Sequence, residues 1–172
     1  MRKLMLAVVV AWGSMALGSI APAAADPTVL NVYDWDGDEA PGTIVIETSE
    51  RRLYFVLGEG EAYSWPIAVG KEGAQWHGST SIIKKAENPS WRPTESIRRE
   101  NPKLPPIVPP GPKNPLGVRG IYLAQGALRI HGTNAPKSIG TAASHGCFRM
   151  RNADVVDLFD LVDVGAKVIV NP

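Results

Sequence analysis

Thr43 to Thr48 and Leu53 to Leu57 are runs of β-branched and aromatic residues parted by the polar Ser49-Glu50-Arg51-Arg52, and Gly58-Glu59-Gly60-Glu61 then leads into Ala62 to Val69. Short apolar runs bounded by turn residues predict strands, here a meander. Pro66 cannot donate to a ladder, so its strand is expected to have an edge or a bulge there. Ser79 to Lys84 is a further strand. Ile121 to Ala124 and Ala127 to Ile130, around Gln125-Gly126, predict a hairpin that ends immediately before His131. Near the C-terminus the period changes: Val155, Leu158, Phe159 and Val162 share one face at helical spacing. Asn152 is the expected N-cap, Asp154 favours the first turn, Gly165 is expected to end the helix, and Ala166 to Val170 returns as a closing strand.

Between these patterned segments, Pro89 to Pro115 holds nine of the fifteen prolines. Leu104-Pro105-Pro106 and Pro109-Pro110-Gly111-Pro112 forbid regular helix or central strand, so this is a long loop or lid, with a short helical turn around Thr94 to Arg99. Trp91, Ile97, Leu104, Ile107 and Val108 give it apolar surface to pack, which argues against a disordered spacer. The chain therefore reads as mainly β with one principal helix.

The first residues read as an address. Arg2 and Lys3 form a positive n-region, Leu4 to Trp12 an apolar h-region, and Ala23-Ala24-Ala25 a cleavage box before Asp26. The apolar run is interrupted by Gly13, Ser14 and Gly18, short of the roughly 20 residues a membrane span needs. The expected organisation is a signal peptide over 1–25 and one domain over 26–172, exported to the periplasm or cell wall. The 147 residues that remain suit a single domain. They carry 16 basic and 17 acidic side chains, a balance that gives no reason to propose nucleic acid as a partner. Lys84 to Pro115 is nonetheless locally basic, with seven cations against three carboxylates, and a basic rim would suit an anionic substrate.

Cys147 is the sole cysteine, so the chain has no internal disulfide. Its thiol is inert and buried, paired between chains, or reactive. The neighbourhood favours reactivity: Ser144-His145-Gly146-Cys147 stands downstream of His131-Gly132-Thr133. A free thiol has a pKa of about 8.5, and a nearby imidazole raises its reactive fraction by accepting the proton. His131, at a strand end, is the candidate base. His145, two residues from the cysteine, points parallel to it in extended backbone and is expected to support the site through hydrogen bonds. Gly146 permits a tight turn, so the Gly146 and Cys147 amides are expected to converge as an oxyanion hole. His131, His145 and Cys147 are also three possible zinc ligands, but the paired spacings of zinc sites are absent, and no metal or other cofactor is assigned.

Ile130-His131-Gly132-Thr133-Asn134-Ala135-Pro136, Ser138-Ile139-Gly140 and Ser144-His145-Gly146-Cys147-Phe148-Arg149-Met150-Arg151-Asn152-Ala153-Asp154 resemble the signature of the YkuD-type L,D-transpeptidase catalytic domain. Gly111-Pro112-Lys113-Asn114-Pro115-Leu116-Gly117 resembles that family's Gly-Pro-x-Asn-Pro-Leu-Gly segment, and with the strands at Thr43 to Val69 the resemblance covers nearly all of the mature chain. It implies a twisted β-sheet sandwich with one main α-helix after the cysteine and a long proline-rich lid. By position, Cys147 resembles the nucleophile, His131 the general base and Gly132 the residue whose carbonyl orients that base. Ser144, His145 and Gly146 match supporting positions, Arg149 matches an arginine that fixes loops or a substrate carboxylate, and Asn134 is a further substrate contact.

The implied reaction is attack of the thiolate on the L-to-D peptide bond of a peptidoglycan tetrapeptide stem, release of D-alanine, and transfer from the thioester to an amine of a second stem or an outer-membrane protein. Carbapenem-type β-lactams are the implied inhibitors. Gln75-Trp76-His77-Gly78 departs from the Thr-Pro-x-Gly found in many members, which makes Trp76 a candidate substrate contact beside the plainer reading of a packed loop aromatic. A carboxypeptidase or a wall-protein-detaching hydrolase would use the same site. A noncatalytic peptidoglycan-binding module is the alternative of another class.

Overall fold

The computed structural model of the chain describes residues 30–172. The expected signal segment and the start of the mature chain at Asp26 lie outside the described residues. The strands are β1 (Val32–Asp34), β2 (Ile44–Glu47), β3 (Arg52–Gly58), β4 (Glu61–Pro66), β5 (Val69–Gly70), β6 (Gly78–Glu87), β7 (Arg119–Leu123), β8 (Arg129–His131), β9 (Ala142–Ser144), β10 (Phe148–Arg149) and β11 (Lys167–Asn171). Two helices, α1 (Glu95–Glu100) and α2 (Asn152–Leu161), complete the set together with a 3₁₀ turn at Pro136–Ser138. Nine strands form one sheet in the order β1-β4-β3-β2-β11-β6-β7-β8-β10, and β5 pairs with β9 in a second.

The predicted meander is β2-β3-β4, antiparallel throughout, with Ile44 facing Phe55 and Phe55 facing Tyr63. Ala62 to Val69 is two strands rather than one. Pro66 ends β4 at a point that β1 does not reach, since β1 extends only to Tyr63. Ile67 still follows the β3 register in donating to Arg51 O, and Ala68 then leaves it for Arg149 O, which carries the chain into the small sheet beside the cysteine segment. The closing strand β11 inserts between β2, which it parallels with Val168 facing Ile44, and β6, which it opposes. Val168 and Val170 are buried on its core face, while Lys167 is exposed and Ile169 half-buried on the other.

Ile44 and Ile46 of β2, Ile82 of β6, Ile121 and Leu123 of β7, Ile130 of β8, Phe148 of β10, Val168 of β11 and Val155 and Leu158 of α2 meet in one cluster. Each such side chain contributes about 1.5–3 kcal/mol on burial. Both halves of the large sheet thus enclose a single core. The helical face read from sequence is the one that α2 buries, packed on β7 and β8. Its ends differ from expectation: Arg151 is the N-cap and makes no side-chain cap bond, Asn152 is the first helical residue, and the helix stops at Leu161 with Val162 as C-cap. Gly165 lies in the following turn at φ 97°, its amide donating to Ile82 O. Asn152 has been drawn off capping duty by a partner in the candidate site.

Candidate active site

The parallel pairing of β8 with β10 builds the site. Phe148 faces Ile130 and Arg149 faces His131. Strand side chains alternate, so Ile130 and Phe148 turn into the core while their neighbours share the opposite face. That face opens on a cavity of ≈ 370 Å³ lined by Arg129, His131, Cys147, Arg149, Ser144, His145 and Asn134, with Trp91, Thr94, Ile97, Pro115 and Leu116 of the lid and Ala127 and Leu128 of the hairpin tip.

His131 is held from several sides. Its carbonyl accepts from Met150 N at 2.8 Å, and its residue pairs with Gly120 of β7. Its Nδ1 lies 2.6 Å from the carbonyl of Gly132. A carbonyl only accepts, so Nδ1 carries the hydrogen of the neutral ring and Nε2 keeps its lone pair. Burial, at 4 % exposure, lowers the pKa to about 4 against the hydrogen bond to Gly132, with Arg149 and Arg129 adding repulsion. The ring is therefore an uncharged base at neutral pH. Cys147 is half-buried, and its Sγ donates to Ala127 O at 3.5 Å. Burial pushes the thiol up, opposed chiefly by Arg129 and then by Arg149. The resting pair is thiol and imidazole, not thiolate and imidazolium.

Ser144 fixes the turn that presents the sulfur. Its buried hydroxyl donates to Cys147 O at 2.5 Å and accepts from Gly146 N at 3.0 Å, a tight closure that Gly146 permits at φ 121°. This corrects the expected oxyanion hole: the Gly146 amide is committed to Ser144 and does not converge with that of Cys147 on an outside point. His145 does hydrogen-bond, but outward, with Nε2 2.8 Å from Glu100 Oε2 on α1. The contact lowers the pKa of the Glu100 carboxyl and ties the lid to the cysteine loop. Asn134 reaches the cavity wall and donates to Lys113 O at 3.0 Å. Trp76 does not line the cavity. It is half-buried against the core and covers Gly78, where a Cβ would stand 3.1 Å from its ring, so it is a packed loop aromatic.

The lid is ordered by one buried side chain. Asn114 Nδ2 donates to Pro89 O, Val108 O and Pro109 O at 2.8, 3.3 and 3.1 Å, while its Oδ1 accepts from Leu116 N at 2.8 Å. Trp91 and Val108 bridge the two arms, and Thr94 caps α1 by accepting from Ile97 N. None of the seven cations of Lys84 to Pro115 lines the cavity. Lys85 caps α2 through Val162 O and Arg98 donates to Pro106 O, so two cations of the expected basic rim serve the scaffold instead. The cavity's guanidiniums come from Arg129 and Arg149.

Three contributors escaped the sequence reading. Asn114 sits inside the recognised Gly111 to Gly117 segment, where its polar side chain among prolines was the available signal. Arg129 stands two residues before His131 and so shares its face of β8, a relation visible once the strand is assigned. Asn152 Oδ1 accepts from Thr133 N at 3.0 Å and fills the space beside Gly117 and Gly132, a contact across nineteen residues with no local signal.

The family model for the L,D-transpeptidase catalytic domain, YkuD, matches residues 41–170. The probable L,D-transpeptidase ErfK/SrfK of Escherichia coli is 41 % identical over 132 residues, covering 73 % of this chain and 42 % of its own length, so the chain spans about two fifths of that relative. L,D-transpeptidase 3 of Mycobacterium tuberculosis, solved in complex with a faropenem-derived adduct, has the same fold at TM-score 0.54 and 19 % identity, over 76 % of this chain and 60 % of that one. A solved protein of Brucella melitensis named as a probable carnitine operon oxidoreductase is 40 % identical, at TM-score 0.55, over 89 % of this chain and 97 % of that one.

Proposed function

The chain belongs to the YkuD L,D-transpeptidase catalytic domain family, and from that premise we propose that it is an exported acyltransferase acting on peptidoglycan tetrapeptide stems, with Cys147 as nucleophile and His131 as base. The observation that carries the reading is the shared cavity wall: the imidazole ends β8 and the sulfur immediately precedes the adjacent β10, with the ring's Nδ1 held by Gly132 so that Nε2 is the free lone pair. Because both groups rest uncharged, the proton leaves Sγ for Nε2 as the sulfur attacks the carbonyl of the L-to-D bond. The C–N bond then breaks, the His131 proton passes to the departing amine of D-alanine, and a thioester remains on Cys147. An acceptor amine then attacks the thioester and gives a proton to His131, the C–S bond breaks as the new amide forms, and His131 returns that proton to the departing sulfur to regenerate the thiol. The Cys147 amide is the candidate donor to the carbonyl oxygen, since Gly146 is engaged.

Trp91, Ile97, Pro115 and Leu116 form an apolar lid wall that supports transfer over hydrolysis by keeping water from the thioester. Arg149 and Asn134 are the proposed stem contacts, and the acceptor is a second stem or an outer-membrane protein. The faropenem-derived adduct of the mycobacterial relative supports β-lactams as acylating inhibitors of this cysteine. Incubation of the purified protein with tetrapeptide muropeptides tests the reading by mass: cross-linked dimers are expected, monomeric tripeptides alone would make it a hydrolase, and no turnover would leave a binding module.

A further inference from the structure

We propose that Arg129 is a further catalytic residue, whose guanidinium meets the negative charge on the Cys147 sulfur in the role that an imidazolium would otherwise fill. The inference rests on the reading of Cys147 as nucleophile. Its geometry comes from the sheet. His131 and Arg149 are paired across β8 and β10, and two residues back, where Cys147 leads into β10, the same parallel register extended by one step past the Phe148–Ile130 pair sets Arg129 beside Cys147. Arg129 is two residues from His131 and lies on its face of the strand. The four side chains thus form a square in which each reacting group has a guanidinium across from it.

The charge of Arg129 has no competing claim inside the cavity. Among the described residues none of the cavity's lining side chains is acidic, and the lid wall contributes no titratable group. The other ionisable groups facing the sulfur are His131, Arg149 and His145, the last already joined to Glu100. Arg129 Nε is buried without a hydrogen-bond partner, a donor left in want of an anion. Tyr122, its partner across β7 and β8, braces the guanidinium at 5.2 Å from the ring centroid.

His131 cannot supply this charge in the resting enzyme. Its burial holds it neutral, and Arg129 and Arg149 oppose its protonation further. The same two cations favour ionised sulfur, with Arg129 the larger influence, against the burial that disfavours it. One arrangement therefore keeps the base neutral and eases departure of the thiol proton. That proton goes to His131 Nε2, the electron pair stays on sulfur beside Arg129 until it forms the thioester bond, and nothing is oxidised or reduced.

The test is the pH dependence of Cys147 alkylation by iodoacetamide, read by intact mass on the purified protein. The reagent is uncharged and requires no peptidoglycan turnover, so the outcome is independent of whether the proposed reaction occurs. Arg129→Gln is expected to alkylate about tenfold more slowly near neutrality, with its profile displaced about one pH unit upward and the same plateau as wild type at high pH. Arg129→Lys is expected to restore most of that displacement. Coincident profiles for wild type and Arg129→Gln, a slowing uniform across all pH, or a Lys variant displaced as far as Gln would each overturn the proposal. Should Arg129→Gln fail to fold by near-ultraviolet dichroism, the Lys profile decides alone: close to wild type supports the charge, and a full unit of displacement refutes it.

Discussion

Gly132→Ala perturbs the support of the base without touching a reacting atom. A methyl at 132 would sit within contact distance of Asn152 Oδ1, and 3.2 Å from Val118 N. The backbone cannot yield readily there, because Gly132 N donates to Arg119 O at 3.1 Å and the adjoining His131 carbonyl accepts from Met150 N. The Asn152 side chain is what must move, and the Thr133 amide then loses its 3.0 Å acceptor in a residue that is 3 % exposed. Orphaning such a donor costs about 1–3 kcal/mol. At about 2–4 °C per kcal/mol for a domain near this size, the melting temperature falls by roughly 4–8 °C if the loss is 2 kcal/mol. The Gly132 carbonyl shifts with its peptide, and a displacement of the His131 imidazole of order 1 Å costs about a hundredfold in turnover. Asn152→Ala orphans the same amide, so the double variant should be no less stable than the worse single one, giving a coupling of about 1–3 kcal/mol. Thermal and urea unfolding by circular dichroism with D-alanine release as the activity readout decide this. Single losses that add to within about 0.5 kcal/mol would refute the shared cause.

Ser144→Ala removes both hydrogen bonds of the buried cysteine turn and should destabilise by about 1–3 kcal/mol, with turnover falling further than stability explains; unchanged turnover in the folded variant would deny Ser144 its role in presenting the sulfur. The buried His131 binds a proton only near pH 4, whereas the unfolded chain binds it near about 6.5. The unfolded state is thus the more protonated between those values, so stability falls as pH drops through the window and by no more beneath it. The loss is up to about 3 kcal/mol and should be missing from His131→Gln in urea titrations at each pH. Glu100→Gln weakens the tie between α1 and His145 and should speed hydrogen exchange over residues 94–101 while leaving the melting temperature nearly unchanged; exchange equal to wild type would show the contact to be incidental.

Local patterning carried much of this architecture. The meander, the hairpin before His131, the short turn at Thr94 and the apolar face of α2 each follow from residues near in sequence, where period and turn chemistry act. The splitting of Ala62 to Val69 was half-visible in Pro66, but what captured the Ala68 amide was Arg149, far along the chain. The insertion of β11 between β2 and β6 likewise depends on partners 124 residues away in β2 and 86 to 92 residues away in β6, which no local period encodes. At the site, Cys147, His131 and Gly132 were legible because their chemistry is written in residue type and motif. Asn152 was misread as a cap because the acceptor it offers is claimed by Thr133 instead, and Trp76 was considered for the rim although its ring covers Gly78. The basic stretch of the lid misled for a related reason: net charge along a segment does not say which cations are spent on carbonyls.

Intact-protein mass spectrometry during exposure to a tetrapeptide stem tests the central claim most directly. The account predicts a transient adduct equal to the stem without its D-alanine, mapped to Cys147, with one D-alanine released for each adduct formed and neither seen with Cys147→Ala. D-alanine release that survives Cys147→Ala, or an adduct mapped to any other side chain, would contradict it.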